Sequence, residues 1–128
     1  MASTWRFWVF WLGCIPFRAA VAVGGVLLPS VDDTFLVLYA IYCLLTAAGL
    51  FTNAVLWWTG EHRGVGGLGG RVWWARARVV HAALWGAAAL AFAVRGPGGW
   101  ILTADVVAGA LAGLVHFACG LDVYKPTD

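Results

Sequence analysis

Residues 34–58 read TFLVLYAIYCLLTAAGLFTNAVLWW, from Thr34 to Trp58, without a single Asp, Glu, Lys or Arg. Wound as an α-helix at about 1.5 Å per residue, the stretch outruns the roughly 30 Å of hydrocarbon in a bilayer. It predicts a transmembrane helix. Upstream, Pro29-Ser30 and Asp32-Asp33 interrupt the chain and place Asp33 or Thr34 as the cap of that helix. Before them, residues 6–28 are apolar around one internal charge, Arg18. Downstream, Thr59-Gly60-Glu61-His62-Arg63-Gly64 opens a glycine-rich loop over 59–73. Two further apolar stretches follow, 74–94 and 100–120, separated by the turn Arg95-Gly96-Pro97-Gly98-Gly99. The expected fold is all-α: a polytopic membrane protein with one transmembrane domain over 1–128, its four helices forming an up-down-up-down bundle.

The composition agrees with this layout. Of 128 residues 62% are hydrophobic and only 11% charged, whereas a soluble domain has about 25% charged residues. An ordinary soluble enzyme and a disordered tail are excluded. A net charge of +2 is too small to neutralise a phosphate backbone, so no nucleic-acid partner is expected. The surface asks instead for a lipid bilayer.

Orientation follows from the basic residues, which concentrate on the cytoplasmic side of membrane proteins. Four spans put the N-terminus, the 59–73 loop and the C-terminus on one face. That face collects Arg6, Arg63, Arg71, Arg76, Arg78 and Lys125, while the other has Arg95 beside Asp32 and Asp33. Both termini are therefore expected in the cytoplasm or its equivalent. Most of the nine tryptophans flank span ends, among them Trp5, Trp8, Trp57, Trp58, Trp73, Trp74 and Trp100. Indole prefers the headgroup level, so these form an aromatic belt. Ala20-Val21-Ala22 imitates a signal-peptide cleavage site, but Arg18 and Pro16 inside the apolar stretch argue against one.

Ionisable residues within spans are costly and mark candidate sites. Arg18 falls near the middle of the first span, and Asp105 lies one to two turns into the fourth. Antiparallel helices bring them to similar depth, which makes an Arg18–Asp105 ion pair the first expectation; snorkelling of Arg18 and a transport or ligand role are its alternatives. His81 and His116 are expected at comparable depth on neighbouring helices. They would share an interhelical hydrogen bond or, alternatively, serve as axial ligands of a pigment or haem. Asp105, Gly109, Ala112 and His116 fall on one helical face, as do His81, Trp85, Ala88 and Phe92. Gly109 and Gly113 form a GxxxG pair, which serves close packing within the bundle or between copies. Cys14, Cys43 and Cys119 lack metal-ligand spacing, so neither a metal nor a disulfide is expected. No nucleophile, acid–base pair or phosphate loop appears in a context that would support catalysis.

Several strings occur together: Leu12-Gly13-Cys14-Ile15-Pro16-Phe17-Arg18, Val72-Trp73-Trp74, Arg78-Val79-Val80-His81, Asp105-Val106-Val107-Ala108-Gly109, and the late His116. In this order they resemble a family of small, uncharacterised four-span membrane proteins of large DNA viruses of algae and protists, and of related marine eukaryotic sequences. Val79 stands where that family usually has Pro. The resemblance implies the four-span architecture and carries no assigned activity.

The expected function is that of a non-enzymatic integral membrane protein. It would act as a structural or accessory subunit of a larger assembly, a viral membrane or an energy-converting complex, with other membrane subunits as partners and no cofactor. The alternatives are a pigment-contacting subunit of a photosynthetic complex, with His or Trp faces against chlorophyll, and a small oligomeric channel or carrier.

Overall fold

Proline determines how the first helix is wound. Pro16 has no N–H, and in a regular α-helix its ring would meet the carbonyl four residues back. The computed structural model, which describes residues 7–59 and 77–119, shows a wider turn at this point. Val9–Cys14 is a π-helix, and Ile15 N–H donates to the carbonyl of Phe10, five residues back. The chain continues as α1, Ile15–Leu27, and tightens into one 3₁₀ turn over Leu28–Ser30.

The second helix, α2, runs Thr34–Trp58. Its entry is capped by the side chain of Asp32, whose Oδ1 accepts from Thr34 N–H at 2.7 Å. The capping side chain is thus one residue before Asp33 and two before Thr34. That bond holds the exposed Asp32 carboxyl below its ordinary pKa. Helices α3, Arg78–Ala93, and α4, Gly98–Ala118, follow. Between them Arg95 adopts a left-handed φ of 57°, and Gly96 N–H donates to Ala91 O at 2.6 Å. A side chain strains that conformation, and Arg95 is anchored there by two hydrogen bonds to Asp33, at 2.9 and 2.6 Å.

Among the described residues every element is helical. Three helical stretches, Val9–Ser30, Thr34–Leu56 and Gly98–Ala118, are long and apolar enough to cross a membrane. Large apolar side chains cover their outside: Leu12, Leu45 and Val115 are all exposed, as is Leu90 on α3. This is the surface of an integral membrane protein. The expected third span is shorter as described. The 16 residues of α3 reach about 24 Å at the α-helical rise, and residues 74–76, together with 60–73 of the glycine-rich loop, lie outside the described residues.

α1 packs along α4, while α3 packs against both α2 and α4. The partners run in opposite directions. Gly25 of α1 meets Gly99 of α4, and Phe10 of the preceding π-helix meets Gly113; Phe92 meets Gly98 and His81 meets Gly109 across α3 and α4. Ala22, Cys43, Trp85, Ala88, Ala89, Phe92 and Leu102 form the core. α1 and α2 touch little, and Tyr39 joins them by donating to Val21 O at 3.1 Å.

At Gly99 two backbones touch. A Cβ there would lie 2.5 Å from both the carbonyl carbon of Gly25 and the nitrogen of Val26. Neither can yield without moving a helix. Gly99→Ala should therefore destabilise the protein by about 1–3 kcal/mol or more. Gly49→Ala, where a Cβ meets nothing within 4 Å, should be neutral or slightly stabilising, since Ala favours the helix over Gly by up to about 1 kcal/mol. Thermal unfolding of both variants in one mild detergent checks the contrast; equal losses would contradict it.

Candidate functional site

Three chemistry-bearing side chains of the interior, Arg18, His81 and Trp85, meet around one carboxylate. Asp105 lies on the buried face of α4 with Leu102, Gly109, Gly113 and His116, and it is completely buried. Ala112, expected on that face, is exposed, and Gly113 takes its place. A carboxylate withdrawn from water needs donors for its lone pairs. The neighbouring helices supply them. Arg18 of α1 forms an ion pair through Nη2 with Asp105 Oδ2. Trp85 of α3 donates its indole Nε1–H to the same oxygen at 2.9 Å. His81, one helical turn before Trp85, brings Nδ1 to Oδ1.

Chemistry assigns the proton on His81. Facing a carboxylate, Nδ1 acts as the donor, which leaves Nε2 as the acceptor in the neutral ring. Nδ1 also lies 2.9 Å from Arg18 Nη2. With Nδ1 donating to Asp105, that approach is the crowding of two donors about one acceptor. Arg18 Nη2 additionally comes within 3.4 Å of the Asp105 carbonyl.

Small residues make room for this arrangement. Along α1, Ala22 and Gly25 are buried one and two turns beyond Arg18, so α1 lies close enough for the guanidinium to reach α4. Gly109, one turn beyond Asp105, provides the floor: a Cβ there would sit 3.1 Å from Arg18 Nη1. At Gly113 a Cβ would run into the Phe10 ring. The GxxxG pair thus serves the α1–α4 seam within one chain.

The structure brings Arg18, His81 and Asp105 together and leaves His116 apart. His116 is buried, with its ring 5.2 Å from that of Phe117. Because His81 stands opposite Gly109, His116 lies two turns, about 10 Å, farther along the axis. The two histidines are therefore not at comparable depth. The register of the 94–97 turn is the reason, since it sets Phe92 beside Gly98 and fixes every later pairing. Trp85 is the member of the cluster that sequence reasoning did not assign; its signal was the i, i+4 step from His81 on a face toward Asp105.

Among the described residues no three His, Cys, Asp or Glu side chains come together as a set that could hold a metal ion. Cys14, Cys43 and Cys119 are free thiols. Compared with models of protein families, with curated proteins and with solved structures, the chain matches none.

The cluster predicts a non-additive mutational pattern. Among the described residues Asp105 is the only acid paired with Arg18, so Asp105→Asn should destabilise by about 3–5 kcal/mol, the usual cost of breaking a buried pair. The double replacement Arg18→Met with Asp105→Asn removes both charges, keeps an amide oxygen as acceptor for the Trp85 N–H, and should recover most of that loss. Denaturant or thermal unfolding of Asp105→Asn, Arg18→Met and the double variant measures the coupling; simple additivity would contradict it.

Proposed function

We propose that the chain is a four-span integral membrane protein that acts by packing, a non-enzymatic structural or accessory subunit of a larger membrane assembly. The single observation that carries this reading is the closed Asp105 cluster. Both carboxylate oxygens are engaged by Arg18, His81 and Trp85 of the same chain. Polar groups that satisfy one another define how helices fit together, and buried ion pairs contribute more to specificity than to stability in several systems. The apolar exterior offers helices such as α2 to lipid and to other membrane subunits. In this reading 74–94 is the remaining crossing, and both termini face the cytoplasm or its equivalent. The motif order that resembles viral four-span proteins favours a viral membrane as the setting.

The test has two parts. Extraction from native membranes in a mild detergent, followed by size separation, should show the chain travelling with other polypeptides. Conservative changes, Arg18→Lys or Asp105→Glu, should lower that association. The purified chain in planar bilayers should carry no current. A current abolished by Asp105→Asn would overturn the reading in favour of a channel.

A further inference from the structure

Beside the Asp105 cluster the four helices leave a cavity of about 240 Å³, near the lower end of ligand pockets, which begin at about 300 Å³. Its wall is mainly apolar, with Phe10, Phe17, Tyr42, Leu50 and Trp85 contributing. Phe17 and Tyr42 are themselves 62% and 40% exposed. They belong to α1 and α2, the sequence neighbours that touch little, so the cavity opens sideways onto the apolar outer surface.

Three basic side chains line the same space: Arg18, Arg78 and His81. No Asp or Glu does. His81 turns Nδ1 to Asp105, and Arg18 uses Nη2 there. The Arg18 Nη1 and Nε groups make no hydrogen bond among the described residues. Arg78 is half-buried at the start of α3 and likewise has no hydrogen bond or ion pair among them. Asp105 therefore offsets one guanidinium, and among the described residues the other has no counter-charge. An uncompensated cation in an apolar wall is costly and calls for an anion. Guanidinium matches carboxylate and phosphate by paired N–H donors.

We propose that this cavity binds one anionic amphiphile from the bilayer. Its acyl chain lies against Phe17, Tyr42 and Trp85. Its carboxylate or phosphate head is held by Arg78, with Arg18 Nη1 as a second donor. The proposal rests on the membrane placement above and is independent of the assembly role.

The purified full chain in mild detergent is titrated with radiolabelled oleate, with oleyl alcohol as the uncharged match. Oleate should bind saturably, one per chain, and about tenfold or more tighter than oleyl alcohol, as expected for a charge-assisted contact. Arg78→Gln should weaken oleate by a similar factor. Leu50→Trp, which fills the cavity and keeps both arginines, should abolish binding, while Arg95→Gln at the far end should leave it unchanged. Competition by phosphatidylglycerol would assign the head to an anionic phospholipid, and its failure to compete would assign it to a free fatty acid. Equal binding of oleyl alcohol and oleate, or equal competition by phosphatidylcholine, would overturn the proposal. So would displacement by inorganic phosphate alone, which would mark a soluble-anion site. Wild-type protein that binds no oleate would also overturn it, while co-migration with other polypeptides would still decide the assembly reading separately.

Discussion

A carboxylate buried among apolar helices has to be surrounded by donors, and in this protein that requirement pins three helices at once. Asp105 belongs to α4, yet its oxygens are served by Arg18 from α1 and by His81 and Trp85 from α3. Apolar helices in lipid gain little from one sliding position over another, because lipid tails are as apolar as Leu. Sliding α1 or α3 by one residue would separate a charge from its partner. The remaining helix, α2, joins through aromatic and small-residue packing instead: Tyr42 meets the Trp85 ring edge-on at 5.7 Å, and Cys43 is fully buried in the core.

Glycine decides how near the helices come. The seam of α1 and α4 is closed at one end by Gly25 against Gly99, where no side chain intervenes. Tyr39 and Phe92 fill the same end, their ring centroids 5.1 Å apart. Toward the other end the residues grow. Phe10 packs on Gly113, and Phe17 leans outward, so α1 and α2 part. The lateral cavity is the consequence of this change in side-chain size along one seam. It places Arg18 between a committed carboxylate on one side and open space on the other.

The helices themselves were legible in the chain, because whether a residue tolerates hydrocarbon depends mostly on that residue. Gaps between charges predict 34–58, which is α2, and the Gly/Pro punctuation of 95–99 predicts a turn between α3 and α4, although Gly98 and Gly99 already belong to α4. Depth counting also brought Arg18 toward Asp105, since both lie well inside their helices. His81 and His116 do not share a depth, because the 94–97 turn sets Phe92 beside Gly98 and His81 beside Gly109. The pairing of Arg95 with Asp33 was visible only as opposite charges on one face. Trp85 was readable as a deep residue of the His81 face, but a donor N–H has no signature until its acceptor is located.

Sequence alone therefore determined the environment of this protein, its helices and the few residues that cannot rest in lipid without a partner. These follow from local and nearly additive transfer energies. Tertiary structure alone decided which partner each one found: Asp105 with Arg18, His81 and Trp85, and Gly113 in place of Ala112 on the buried face. It also decided that Arg78 would stand on an open cavity. Those outcomes depend on the approach of backbones at Gly25 and Gly99 and on the winding of one turn. The contacts that set them join residues from 20 to 87 positions apart, and no local pattern encodes such contacts.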